Sequence, residues 1–401
     1  MQKITGYFLI CFLISGLFLV SCNRQNKQLT KASSQITEEA PQGKKTGQKF
    51  KSTVSLTIPL QETKDHFVGQ YVENIQYIKL ENTEDAFFNS INKLIVRNHK
   101  FYLFELMGRN RVLVFNEQGH FMNSVGTIGG GPGEYTRLRN FTVFNDTVYL
   151  LNRDKKELLL YHDNGQYIKT DHMPFRASDI VVLGHDRYMF ALDPMDLEES
   201  QILITDNRFH VIRTPIRYSD NTTDLLTISM LKEVPNAIVY HRPINDSIYI
   251  FDYTGKLISI ACMDFGSKSV PADMKNNFTE VIKDARSPYS RYAHMNQTPL
   301  IVNDFLIGNI TQNNSRWSIL INMNTNQGIT NQYKTGKYFD VRNIFSPLCS
   351  FGDNLVASQL SHDWIDPDAS LDIIPRDILD HIAEGGYVLC IYTMNKKKNA
   401  M

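Results

Sequence analysis

The sequence repeats one pattern of apolar strands and turns between residues 91 and 170. Each copy has two apolar segments followed by a glycine: 101–104, 112–115 and Gly119 in the first copy, and 148–151, 158–161 and Gly165 in the second. Corresponding positions, such as Tyr102 and Tyr149, lie 46 or 47 residues apart. A period in the forties, built from four short strands, is typical of a β-propeller blade. The pattern therefore predicts an all-β chain.

Weaker copies of the pattern continue to the end of the chain, and together they predict a six-bladed β-propeller. The predicted blades span about 88–126, 138–172, 178–213, 225–264, 298–330 and 348–392. Five or seven blades would also fit, because the third and sixth copies are weak. Residues 71–80 form a further apolar strand, which we expect to complete the last blade. Such closure removes the exposed sheet edges that an open ring would leave.

Turn residues punctuate the predicted strands. Asn164-Gly165 between apolar segments predicts a type I′ hairpin turn, in which both central residues have positive φ. Asn-Asp pairs recur at 145–146, 245–246 and 303–304, and we interpret residues 245–249 as a copy of 145–149. Carboxylate and amide oxygens are also calcium ligands, but the regular placement of these pairs favours turns.

Two segments that interrupt the blades have a helical pattern. Residues 271–285 begin with a proline and space their apolar residues as on one helix face, and residues 374–383 end at Gly385-Gly386. We expect these short helical insertions to cap one face of the ring.

The N-terminus predicts export and a lipid anchor. Residues 1–21 carry one charge, Lys3, ahead of an apolar run, as in a signal peptide. The run ends in Leu-Val-Ser-Cys, which resembles the bacterial lipobox and implies lipidation of Cys22. Asn23 after the cysteine favours the outer membrane, facing either the periplasm or the cell surface. Polar residues 22–51 predict a flexible tether, and residues 52–395 the propeller.

Composition limits the partners of the chain. Lysine plus arginine equals aspartate plus glutamate, at 42 each, which argues against nucleic acid. Beyond the N-terminus there are three cysteines, Cys262, Cys349 and Cys390, all in or beside apolar runs. We interpret them as buried free thiols, although one disulfide among them would also fit.

The segment from Gly126 to Tyr135 contains five glycines and a proline. No Gly-Lys-Ser/Thr follows it, and a strand rather than a helix comes next, so it is not a phosphate-binding loop. We expect a tight chain reversal near the centre of the ring. This loop, with Leu80-Glu81, resembles six-bladed propeller lipoproteins of Bacteroides and relatives, which are broadly similar to NHL-type propellers. The resemblance implies fold and location, and no catalytic residue.

Two loops supply the candidate ligand-binding residues. They are Glu134, Tyr135 and Arg137 after the glycine-rich segment, and His362, Asp363 and Trp364 near the C-terminus. Histidine spacings typical of metal sites and serine nucleophile motifs are absent from the sequence, so we predict no metal, no cofactor and no identified catalytic residue. The favoured function is a membrane-tethered binding or scaffold module for a peptide, a glycan or an envelope protein. The alternative is a metal-dependent hydrolase or lyase with its site on the ring axis.

Overall fold

The fold of the unit Gln48–Met401 is taken from a computed structural model. The structure describes residues 52–60, 70–193, 199–218, 227–271, 274, 291–313, 315–334, 341, 344, 346–363, 365 and 374–395. The predicted signal peptide and tether lie outside the described residues. No helix within these ranges is long and apolar enough to cross a membrane.

Six small sheets, here called blades one to six in chain order, make up the unit. Two strands precede the first blade: β1 (Thr53–Thr57) and β2 (Val72–Lys79). The first three blades contain β3 (Lys93–Arg97), β4 (Lys100–Glu105), β5 (Arg111–Asn116) and β6 (Phe121–Val125); β9 (Asn140–Phe144), β10 (Thr147–Asn152), β11 (Glu157–His162) and β12 (Tyr167–His172); and β13 (Asp179–Val182), β14 (Arg187–Ala191), β15 (Ser200–Asp206) and β16 (Val211–Arg217). Between blades one and two, β7 (Thr127–Ile128) pairs with β8 (Glu134–Tyr135).

The last three blades follow the same plan. They contain β17 (Leu231–Val234), β18 (Ala237–His241), β19 (Ser247–Phe251) and β20 (Leu257–Asp264); β21 (His294–Met295), β22 (Leu300–Val302), β23 (Phe305–Gln312), β24 (Ser315–Asn322) and β25 (Gly328–Lys334); and β26 (Cys349–Phe351), β27 (Leu355–Leu360) and β28 (Val388–Met394). Within each blade, consecutive strands pair antiparallel, except that β21 and β22 of blade five both pair with β23. A short 3-10 helix, Gly266–Lys268, follows blade four.

The innermost strands of the six blades form a closed ring. They are β3, β9, β13, β17, β22 and β26, and each contacts the next in this order, with β26 contacting β3. This arrangement confirms the predicted six-bladed propeller. We call the end of the ring with the first-to-second and third-to-fourth strand turns the turn face. The opposite end, with the connections between blades and the second-to-third strand loops, is the loop face.

The N-terminal strand closes the ring. β2 pairs antiparallel with β28, from Val72 opposite Met394 to Lys79 opposite Val388, and supplies the fourth strand of blade six. This placement confirms the role predicted for residues 71–80. β1 instead pairs parallel with β20 and adds a fifth strand to the outer edge of blade four, a position that its sequence did not indicate.

The core lies between neighbouring blades, because each blade packs both of its faces. Tyr102 and Phe104 of blade one share one cluster with Phe141 and Val143 of blade two. Similar clusters join blades two and three, three and four, and six and one, and a large cluster joins blades four, five and six. Burial on both faces explains why third strands such as β5 and β11 are nearly continuous apolar runs rather than alternating ones.

The structure corrects two of the turn assignments. Asn164 does not have positive φ, and Gly165, at φ 87°, is the left-handed residue of that turn. His162 and Gln166 flank a type I turn followed by a glycine bulge, because the amide of Gly165 donates to His162 and that of His162 to Gln166. The predicted type I′ turn is therefore wrong: only one residue at this position needs the left-handed conformation.

The proposed equivalence of residues 145–149 and 245–249 is also wrong. Thr147 begins the second strand of blade two, whereas Ser247 begins the third strand of blade four. The first turns of blades one, two, four and five instead share a left-handed asparagine: Asn98, Asn145, Asn236 and Asn303. Asparagine tolerates this conformation better than other residues with a Cβ, so this residue, rather than the Asn-Asp pair, marks the repeat.

The second predicted helix is present as α1 (Arg376–Ala383), between β27 and β28. Its buried residues Ile378, Leu379 and Ile382 join the core of blades four to six. The first predicted helix, 271–285, falls almost entirely outside the described residues.

Candidate functional site: the axial cavity

A cavity of about 170 Å³ lies along the axis of the ring. Its walls come mainly from three inner strands, β3, β17 and β26. Arg97 at the end of β3, Asn236 after β17 and Gly352 after β26 also line it, so the cavity reaches the turn face.

A buried ion pair closes the other end of the cavity. Lys93, Asn140 and Asp179 are the first residues of β3, β9 and β13, and all three are buried. The ammonium of Lys93 donates to Asn140 Oδ1, to the Phe141 carbonyl and to Asp179 Oδ1, each at 2.9 Å. Asp179 Oδ2 accepts from the backbone amide of Leu231 at 2.8 Å. One hydrogen-bonded group therefore ties together the inner strands of four blades.

A second ion pair lies toward the turn face. The guanidinium of Arg97 in blade one contacts the carboxylate of Glu233 in blade four. Burial raises the pKa of Glu233, and Arg97 opposes this rise. Burial also raises the pKa of Tyr253, whose hydroxyl donates to the Val234 carbonyl at 3.2 Å. The acid and the phenol are thus fixed within the wall.

Lys232 and Cys349 also line the cavity. Lys232 Nζ donates to the carbonyl oxygen of Pro347 at 3.2 Å. Removal from water, and then the charge of Lys93, lower the pKa of Lys232 to about 8. Burial raises the pKa of the Cys349 thiol to about 12, so this thiol stays protonated. Cys262, Cys349 and Cys390 are all free thiols, as predicted, although Cys262 is only partly buried.

The glycine-rich loop lies at the rim of the ring and not near its centre. Gly133 packs against the ring of Tyr167, and its carbonyl accepts from the Tyr161 hydroxyl. These tyrosines belong to β12 and β11, the two outermost strands of blade two. The expected position near the axis is therefore wrong. The glycines fit because the loop folds tightly on itself: Gly129 and Gly131 pack against the side chain of Glu134.

The predicted ligand residues of this loop have structural contacts. Glu134 Oε2 accepts from the backbone amide of Gly131 at 2.7 Å. Tyr135 is buried between blades one and two, and its hydroxyl donates to the Asn110 carbonyl at 3.1 Å. Arg137 is exposed. No observation tests ligand binding by these residues, which stays a prediction.

His362 and Asp363 form an exposed pair, with His362 Nδ1 3.1 Å from a carboxylate oxygen of Asp363. They lie on the loop face in the connection from β27 to β28, whereas the axial cavity reaches the opposite face. Trp364 lies outside the described residues. Binding by this group is likewise an untested prediction.

The axial residues were not found from the sequence, because they are spread from Lys93 to Ser350. One signal does exist: a polar residue comes directly before the apolar run of three consecutive inner strands, at Lys93, Asn140 and Asp179. Among the described residues, no group of three His, Cys, Asp or Glu side chains is placed to hold a metal ion.

The ring of six blades and its axial cavity define the chain as a six-bladed β-propeller protein. The sequence matches the profile of a domain of unknown function, DUF4934, over residues 53–371, and the chain belongs to this family. A comparison with curated proteins gives no match.

Two solved structures show the relation of the fold to other proteins. A Bacteroides fragilis protein, named as a candidate exported protein, is similar with a TM-score of 0.65 and 16% identity over 86% of this chain and 100% of that one. A member of the DUF4221 family from Bacteroides vulgatus has a TM-score of 0.49 and 11% identity over 81% of this chain and 98% of that one. The first similarity supports the propeller fold, and the second supports no further conclusion.

Proposed function

We propose that this chain is a membrane-tethered binding module of the cell envelope. A lipid on Cys22 anchors it to the outer membrane, and the propeller binds a ligand or partner in the periplasm or at the cell surface. A peptide, a glycan or an envelope protein carries the group that enters the axial cavity. The observation that carries this proposal is the cavity itself, which is concave, lined by rigid strands and accessible from the turn face.

The proposed location draws support from the sequence and from one similar structure. The Leu-Val-Ser-Cys ending of the apolar segment is the motif expected before a lipidated cysteine. The name of the similar Bacteroides fragilis protein also points to export. The relation to lipoproteins, like the broader likeness to NHL-type propellers, belongs to this proposal.

Fractionation tests the anchor. We expect the full chain to sediment with membranes and the Cys22→Ser variant to become soluble after cleavage or to stay unprocessed. A Cys262→Ser variant, which changes a thiol of blade four, is the matched control and should fractionate like the unchanged protein. Equal membrane association of mature C22S and the unchanged protein would refute the lipid anchor.

Ligand-observed NMR on the full chain in detergent tests the cavity. Suitable probes are galacturonate, galactose, N-acetylleucine and N-acetylleucinamide, which together cover acidic and neutral sugars and amino acids. We expect at least one probe to bind, and a Ser229→Phe variant, which fills the cavity from its wall, to lose that binding. Retention of the native circular dichroism spectrum shows that the variant is folded. Failure of every probe to bind, or unchanged binding to folded S229F, would overturn the axial site.

The metal-dependent hydrolase or lyase stays a prediction without an observation in its favour. The two axial carboxylates, Asp179 and Glu233, are ion-paired with Lys93 and Arg97. Both groups therefore already have partners within the wall of the propeller.

A further inference from the structure

In the part of the chain that the structure describes, one cation of the axial cavity has no carboxylate partner. Lys93 is paired with Asp179, and Arg97 is paired with Glu233. Among the described residues, Lys232 has no carboxylate within ion-pair distance and donates only to the Pro347 carbonyl. Because an ammonium group has three donors, two remain available. The ion pairs cancel, and Lys232 leaves the described wall with a net charge of +1.

A buried hydroxyl without a partner lies in the same wall. Ser350 is 8% exposed, and its Oγ has no hydrogen-bond partner in the structure. A buried polar group usually has a partner, since leaving it unsatisfied costs about 1–3 kcal/mol. Ser350 lines the cavity together with Lys232, but its Oγ is shielded from solvent. Rotation of this short side chain toward the cavity would let a bound ligand supply the missing partner.

The two residues lie on adjacent inner strands of the cavity wall. Lys232 is the second residue of β17 and Ser350 is the second residue of β26. These two inner strands contact each other across the ring, although their blades are not consecutive. The available ammonium donors and the free hydroxyl therefore belong to adjoining parts of one cavity wall.

We propose that the axial cavity binds the carboxylate of a compact organic acid, with Lys232 and Ser350 donating hydrogen bonds to it. This inference rests on the proposed binding function and names the chemistry of the ligand. A monoanion balances the single positive charge of the wall. A phosphate dianion would instead leave the occupied cavity with a net negative charge. At roughly 10–15 Å³ for each water-sized volume, the cavity accepts about a dozen non-hydrogen atoms, the size of a hexuronate or an N-acylated amino acid.

The lowered pKa of Lys232 agrees with the binding of a carboxylate. The low pKa of Lys232 arises because the ammonium is removed from water without a counter-ion. A bound carboxylate would supply that counter-ion and raise the pKa. The groups around Lys232 are Lys93, Asp179, Arg97, Glu233, Tyr253 and Cys349. Cys349 and Tyr253, whose pKa values are raised, do not ionise between pH 7 and about 9.

Calorimetry or NMR titration of the full chain in detergent tests the inference with two matched pairs of probes. Galacturonate is compared with galactose, and N-acetylleucine with N-acetylleucinamide, so that each pair differs mainly in its negative charge. We expect the acids to bind at least about tenfold more tightly than their neutral partners. The pair with the larger difference identifies whether the carboxylate comes from a sugar acid or from a peptide end.

Variants assign the effect to the two residues. Lys232→Met keeps the length of the side chain and removes its charge, and we expect it to weaken acid binding at least about tenfold without affecting the neutral probes. Ser350→Ala should weaken acid binding by a smaller factor than Lys232→Met does. Lys79→Met removes an exposed lysine that contacts Asp377 outside the cavity, and should leave the affinity unchanged.

A pH series on the unchanged protein keeps the inference testable if Lys232→Met does not fold. Acid affinity should fall as the pH rises from 7 through about 8 to 9, because the ammonium loses its proton. Equal binding of acids and neutral probes, or acid binding unaffected by folded K232M, would overturn this inference and leave the proposed function standing. Absence of binding by all four probes would overturn both.

Discussion

At the scale of single residues, the buried charges of the axis are the most consequential. Lys93 and Asp179 are almost completely removed from water, with side-chain exposures of 9% and 0%. The pair persists because hydrogen bonds to Asn140 and to backbone groups surround it. A buried pair of this kind is weak evidence for net stability, but removing one partner leaves an uncompensated charge.

Asp179→Ala should therefore destabilise the propeller by about 3–5 kcal/mol in denaturant unfolding. The ammonium of Lys93 and the amide of Leu231 would both lose an acceptor. Glu199→Gln, which removes the charge of an exposed partner of Arg217, is the control and should change stability little. A stability of D179A equal to that of the unchanged protein would contradict the central role of this group.

His241 should make the fold sensitive to acid. Its Nε2 lies 2.9 Å from the Asn245 carbonyl, and burial, followed by the charge of Arg242, lowers its pKa to about 4. As the pH falls, His241 in the unfolded chain binds a proton near pH 6.5, whereas His241 in the native state binds one only near pH 4. Stability should therefore fall by about 3 kcal/mol as the pH drops from 6.5 to 4. His241→Gln keeps a donor for Asn245 and should show a smaller loss across this window; equal pH profiles would reject the assignment.

At the scale of elements, the third-to-fourth strand turns hold neighbouring parts of the ring together. The carbonyl of Gly119 in blade one accepts from the amide of Glu81, just after the closing strand β2. Gly119 has φ 88°, and a Cβ there would collide with the carbonyl of Lys79. Both backbone conformation and close approach thus require glycine at this turn.

Gly119→Ala should cost more than about 3 kcal/mol, because backbone would have to move. Gly385 after α1 is the matched control: it has φ 84°, and no heavy atom lies within 4 Å of an added Cβ. Gly385→Ala should cost only the strain of the left-handed conformation, about 1–2 kcal/mol. Thermal unfolding of both variants measures the difference, and similar losses would show that the contact with Lys79 is unimportant.

The positions of the strands explain why two predictions about turns were wrong. The residues 145–149 and 245–249 look alike because both combine a turn with a strand start, but the first belongs to a first turn and the second to a second-to-third strand loop. Local propensity specifies a turn and leaves its place in the blade open. The type I′ prediction for Asn164-Gly165 was wrong for a related reason, because the pairing of the flanking strands requires a bulged turn.

At the scale of the whole molecule, ring closure depends on strands that are far apart in sequence. β2 supplies an edge of blade six more than 300 residues before β28. Without it, β28 would expose a row of unpaired backbone groups, and the partly buried residues Ile75 and Tyr77 would no longer pack on the core.

A chain that begins at residue 81 should therefore lose cooperative unfolding and expose apolar surface. A chain that begins at residue 52 keeps β1 and β2 and should unfold like the unchanged protein. Calorimetry and binding of an apolar dye distinguish these outcomes. A sharp, unchanged transition in the shorter chain would show that blade six is stable without its N-terminal strand.

The class of fold followed from the sequence alone, because a period of 46 or 47 residues with apolar strands permits few architectures. It also located the blades, the closing strand and α1, whose patterns are local. The three-dimensional packing was needed to show that β1 extends blade four, that the glycine-rich loop lies at the rim, and that Lys93, Lys232 and Ser350 line one axial cavity beside Asp179. These positions depend on how distant strands pack around a closed ring, and side chains from separate blades carry no shared spacing by which a linear pattern could reveal them.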